Sequence, residues 1–222
     1  MPKAIPAGGG DDSPHNRFVE AILNFVGHIP HTSEPHSEHP DVRARSLAGT
    51  AAIKAATTAG ALALPPGPLG WVTILPELVA IWKIQAQMVA DIAGTYGKEA
   101  FLTREQMLYC LFRHAAAQAM RDLVVRVGER FLVRRVSLRV FQNIANKIGV
   151  RVTQRVIGKG ISRWIPIIGA LGVAGYAYYD TGQVAKTTIE LFGGVIELEP
   201  EEPTESKDTA GPENPDEETQ WN

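Results

Sequence analysis

Apolar positions recur at helical spacing along most of this chain. Phe18, Ile22, Phe25 and Val26 fall on one face of a short amphipathic helix over 17–28, with Ser13 or Asn16 as its cap. Ser46 to Leu64 is Ala-rich with Lys54 as its one charge, and it stops at Pro65-Pro66-Gly67-Pro68. Leu69 to Ala93 is the most hydrophobic early stretch. Pro76 suits the first turn of its helix, Glu77 favours the positive end of the dipole, and Gly94 and Gly97 close it. Leu78, Ile81, Trp82, Met88, Val89 and Ile92 line one side, and Val79, Ala80 and Ile84 make the other apolar too. Such a helix is buried or meets lipid. Thr103 and Gln106 have capping-box spacing and open a helix running through Val127 to a break at Gly128. Two more helices are expected over roughly 129–148 and 150–160. The last runs from Ile161 to Phe192, with Pro166 in its first turn. Gly169, Gly172 and Gly175 recur every three residues in it, the pattern of a face approached closely by another helix.

The expected architecture is therefore all-α: a compact multi-helix bundle with apolar Gly/Ala-rich helices. Residues 1–16 are too polar and Gly-rich to bury a face and read as disordered, as does the acidic, Pro-bearing tail 195–222. Residues 29–42 read as a solvated His/Pro-rich linker, and 43–194 as the helical domain. His28, His31, His36 and His39 form H-x-x-H pairs, a weak metal candidate because nothing in such a linker fixes ligand geometry.

Net charge is only −2, but its distribution is uneven. No acid occurs between Arg130 and Arg163. Lys147, Arg151, Arg155, Lys159 and Arg163 are spaced by four, and Arg126, Arg130 and Arg134 repeat the spacing upstream. On a helix each set would form a basic stripe fitted to an anionic membrane surface. An ordinary solvated face is the plain alternative, and an acidic partner or the chain's own tail, rich in Glu and Asp, is another. Nucleic acid fits poorly, because few aromatics interleave with the cations and no recognised motif appears. Trp164 to Tyr179 is uncharged but short for a span, with Trp164 at one end and Tyr176 and Tyr179 at the other, like an interfacial belt. Trp71 and Trp82 join these as candidate membrane-facing residues. Core helices, a conditionally inserting hairpin and a constitutive span all stay open.

Catalytic chemistry finds little support. P-loop, H-E-x-x-H, C-x-x-C and G-x-S-x-G patterns are absent, and no cofactor is implied. Cys110 is the lone cysteine, read as a buried small hydrophobe in a reducing compartment, and no secretory signal is seen. An enzyme reading rests on Glu77, Glu99 and Asp180 meeting in a pocket.

The run Gly70-Trp71-Val72-Thr73-Ile74-Leu75-Pro76-Glu77-Leu78, the following apolar helix and Tyr96-Gly97-Lys98-Glu99 resemble the EcsC family. So does Ile165-Pro166-Ile167-Ile168-Gly169-Ala170-Leu171-Gly172 through Tyr179, and the likeness covers roughly 45–192. Glu99 stands where that family usually has aspartate. The resemblance implies an all-helical, membrane-associated bacterial protein, of a family named from an operon that encodes an ABC exporter, on the cytoplasmic side of the membrane, peripheral or partly inserted. It brings no catalytic mechanism. The leading expectation is a non-enzymatic binder of an anionic membrane surface or a membrane complex. The alternatives are a soluble helical adaptor and an uncharacterised hydrolase.

Overall fold

The computed structural model describes residues 14–63, 70–120, 123–127, 130–133, 135–158 and 166–194. Six helices and one hairpin occur among them: α1 (Pro14–Val26), α2 (Pro40–Leu62), α3 (Gly70–Thr95), a 3-10 turn (Glu99–Phe101), α4 (Arg104–Met120), β1 (Val124–Val127), β2 (Arg130–Val133), α5 (Leu138–Gly158) and α6 (Pro166–Gly193). The bundle is all-α, as its apolar periodicity requires. The expectations for 1–13 and 195–222 lie outside the described residues.

The core is assembled from the predicted faces. Phe18 and Ile22 of α1, Val89 and Ile92 of α3, Leu108 and Leu111 of α4, and Phe141, Ile144 and Ile148 of α5 are all buried in one cluster. Trp82 is only 5 % exposed. It meets Phe112 edge-on at 5.2 Å and Phe25 at 6.1 Å between ring centroids. Burying each such side chain stabilises the fold by about 1.5–3 kcal/mol. A second small cluster joins Ala55 and Ala59 of α2 to Ile81 of α3 and Ala177 of α6. Here α2 and α6 approach closely because their side chains are small. A Cβ on Gly60 would stand 3.4 Å from the Ala174 Cβ.

The expected capping box is present. Gln106 N–H donates to Thr103 Oγ1 at 3.3 Å, and Thr103 N–H donates to Gln106 Oε1 at 3.0 Å. Pro166 begins α6 as expected.

Other boundaries differ. Pro76 lies inside α3, which starts at Gly70, so it occupies an interior position and not a first turn. The helix expected through Val127 ends at Met120, after a break at Ala116 (φ −140°, ψ 44°). Beyond it, Val124–Val127 pairs antiparallel with Arg130–Val133. Val124–Val127 is rich in β-branched valine, Arg130–Val133 adds Phe131 and Val133, and the sequence between them, Gly128-Glu129, is a Gly-X pair of the kind that joins hairpin strands. The expected division near 149 is absent, because α5 runs unbroken from Leu138 to Gly158.

The His/Pro-rich segment is not a free linker. It lies as a strap along the C-terminal half of α3. Thr32 Oγ1 donates to Asp91 Oδ1 at 2.7 Å, Gln87 Nε2 donates to the His31 carbonyl at 3.1 Å, and Ser37 N–H donates to the Thr95 carbonyl at 3.0 Å. Gly94 admits the strap, since a Cβ there would come within 2.8 Å of the Glu34 carbonyl oxygen.

Candidate functional site

The basic residues divide between two kinds of structure. Arg126 pairs with Phe131 and Arg130 with Val127 across the hairpin, so the upstream four-residue spacing does not make a helical stripe. Arg134, Lys159 and Arg163 lie outside the described residues. Lys147, Arg151 and Arg155 do share α5 at helical spacing. That helix turns Phe141, Ile144, Ala145 and Ile148 inward. Its exposed residues include Arg139, Gln142, Asn143, Asn146, Lys147, Val150, Arg151 and Gln154, and Arg135 is exposed just ahead of it. Arg104 at the start of α4 adds a guanidinium 5.0 Å from the centre of the Phe141 ring. The face is cationic and polar, and α5 itself contributes no carboxylate to it.

The candidate membrane-facing aromatics separate as well. Trp82 is a core residue, a correction that follows from the apolar girdle around α3 being filled by α1 and α4. Trp71 lies on α3 with its side chain not described, and Trp164 lies outside the described residues. On α6, Leu171 (68 % exposed), Tyr178 (53 %) and Tyr179 (63 %) form an outward apolar ridge. Gly172 and Gly175 open onto solvent, with nothing within 4 Å of an added Cβ, so they do not mediate the close approach to α2. Ala170, Ala174 and Ala177 do. Gly169 shares α6, but its surroundings are not described. No helix among the described residues is long and apolar enough to cross a membrane.

Tyr176 points to a polar joint between three helices. Asp180 of α6 takes the His114 ring Nε2 at 2.7 Å and Gln85 Nε2 at 2.9 Å, and it is also hydrogen-bonded by Tyr176. Gln85 Nε2 also reaches Thr181 Oγ1 at 3.1 Å. Burial pushes the Asp180 carboxyl up, but the bonds from His114, Gln85 and Tyr176, together with the attraction of His114, outweigh it. The net effect is to hold the group below its ordinary value. His114 Nδ1 is buried and has no hydrogen-bond partner among the described residues. A His–Asp pair can orient a general base, but no nucleophile is bonded to this one among the described contacts. Glu77 is buried on α3, whereas Glu99 is exposed beyond its end. At 1.5 Å per residue α3 alone carries the chain about 27 Å from Glu77 to its end at Thr95, before the turn that leads to Glu99, so Glu77, Glu99 and Asp180 do not form a joint catalytic site.

Tyr96, Gly97 and Lys98 form a structural knot at the end of α3. Gly97 has φ +66° and closes α3 with a Schellman pattern: Lys98 N–H reaches the Ala93 carbonyl and Gly97 N–H the Gly94 carbonyl, both at 2.8 Å. Tyr96 Oη donates to Asp41 Oδ1 of α2 at 2.5 Å. Lys98 Nζ donates to the Phe192 carbonyl at 3.0 Å, capping the end of α6. Burial and the Asp41 carboxylate both push the Tyr96 hydroxyl above its ordinary range.

The four linker histidines do not gather. His28 Nδ1 sits 3.0 Å from the Asn24 carbonyl, His36 packs over Gly97, and His39 precedes α2 with its N–H on Ser37 Oγ. His31 is exposed, and its carbonyl is held by Gln87. No group of three His, Cys, Asp or Glu among the described residues could hold a metal ion. No family model, curated protein or solved structure matches this chain.

Proposed function

We propose that this protein is a non-catalytic, peripheral binder of anionic membrane surfaces that docks through the exposed face of α5. One observation carries the reading: α5 fixes its inner side with Phe141, Ile144 and Ile148 and turns Arg139, Lys147 and Arg151 outward on a face to which it adds no carboxylate. Because its apolar side is spent on the core, α5 docks by charge rather than by burying itself in acyl chains. Each cation near such a surface contributes about 1 kcal/mol, so binding is weak, additive and salt-sensitive.

Cosedimentation with vesicles tests it. The unaltered chain binds phosphatidylserine-containing vesicles and not neutral ones, and moderate salt releases it. Arg151→Glu with Arg155→Glu lowers affinity about tenfold or more. Unchanged binding by that variant removes α5 as the docking face. No binding by the unaltered chain, combined with α5-dependent binding to acidic polypeptides, transfers the face to an acidic protein partner.

A further inference from the structure

Where α6 ends bears on what covers α5 when no membrane is present. Residues 197–218 carry ten carboxylates, at 197, 199, 201, 202, 205, 208, 213, 216, 217 and 218, against the single cation Lys207. The cationic run from Arg130 to Arg163 contains no acid at all. One chain therefore carries both halves of a complementary pair. The attachment point of the acidic half is linked to the basic one through Lys98 and Arg104. The last residues of α6 are held by Lys98, whose Nζ reaches the Phe192 carbonyl at 3.0 Å and the Gly194 carbonyl at 3.5 Å. Lys98 leads through the 3-10 turn into Arg104, whose guanidinium lies 5.0 Å from the Phe141 ring in the first turn of α5. The run from Lys98 to Arg104 spans at most about 20 Å even when fully extended. The segment after Gly194 has a contour length of about 95 Å, and α5 is about 30 Å long, so the acidic stretch reaches the whole exposed face without stretching.

We infer that the acidic segment 197–218 docks on the exposed face of α5 and competes there with anionic surfaces. The cations involved are Arg139, Lys147 and Arg151, with Arg135 and Arg104 at the near end. Among the described carboxylates, Glu105 is ion-paired with Arg104 at 3.0 Å, and Glu20 is exposed on α1, the helix that packs against α5. Tethering gives the segment an effective concentration of about millimolar, enough to hold off a weak external polyanion and to yield to a dense one. The competition rests on the membrane reading above; the docking does not.

Zero-length carbodiimide crosslinking of the full chain, read by mass spectrometry, tests docking without any membrane. Crosslinks join Lys147 to carboxylates within 197–218 and disappear at about 0.5 M salt. An Arg139→Lys with Arg151→Lys variant, which keeps the charge, gains further crosslinks at both positions. Crosslinks confined to Lys98 and Lys186, the lysines nearest the end of α6, overturn the docking. A full-length variant with Glu201→Gln, Glu202→Gln, Glu205→Gln and Asp208→Asn binds anionic vesicles about tenfold more tightly at low salt. Equal affinity overturns the competition. Lys147 crosslinks in a chain that binds no vesicle leave the docking standing and remove the membrane reading.

Discussion

His114 on α4 and Asp180 on α6 meet at 2.7 Å, two residues before the break in α4 at Ala116. The pair ties the helix that breaks to the helix that spans the bundle, and Gln85 of α3 completes the tie. Its side chains are 15 % and 16 % exposed, so water screens it little. Removing one partner of such a pair leaves the other buried and uncompensated.

Asp180→Asn is therefore expected to cost about 2–3 kcal/mol, measured by urea unfolding at neutral pH. The pH dependence has a definite sign. The folded state holds the Asp180 carboxyl below its ordinary value, so it binds that proton less readily than the unfolded chain does. The stabilisation is complete above the unfolded value, near about 4, and is lost as pH falls through the lower folded value. The variant should lose less stability than the unaltered chain between neutral pH and about pH 3. Equal losses would mean that Asp180 is not the acid-sensitive group.

The knot at the end of α3 gives a second expectation. Gly97 at φ +66° is in the left-handed region, and a Cβ there would also press on His36 Nδ1 at 3.2 Å. Gly97→Ala should destabilise by about 1–2 kcal/mol, whereas Gly172→Ala, in a helical position open to solvent, should stabilise by up to about 1 kcal/mol. Tyr96→Phe removes only the bond to Asp41 and should cost about 1 kcal/mol. Thermal melts of the three variants order them; a neutral Gly97→Ala would contradict the left-handed assignment.

These sites also show what the sequence could carry. The capping box, the core faces of α1, α3 and α4, and the closing glycine were legible because each is a local pattern. The hairpin was hidden by arginines spaced by four, which imitate a helix; Val124-Val125-Arg126-Val127 and the Gly-Glu pair were the contrary signal. Gln85, His114 and Asp180 lie too far apart in sequence for any spacing rule to join them. Gly172 and Gly175 misled because a small residue marks close approach only on the side where a neighbour stands, and alanines occupy that side here. The strap was missed because its bonds go to Gln87, Asp91 and Thr95, which nothing local connects to a Pro-rich run.

Cys110 tests whether the α4–α6 contact opens. Burial pushes its thiol up to about 12, while the hydrogen bond with Thr188 and the charge of Arg113 pull the other way. Only the thiolate reacts, so at about pH 8 alkylation of the folded protein should run at least about a thousandfold slower than in denaturant. Labelling then reports opening of the helix pair, because Cys110 faces α6 through Thr188 while Arg113 grips Glu190 of the same helix at 2.7 Å. Asp180→Asn, which loosens that pair one side over, should speed labelling in proportion to its loss of stability, if opening is global. Acceleration well beyond that proportion would place the break at Ala116 as a local hinge, with α4 parting from α6 while the rest of the bundle holds.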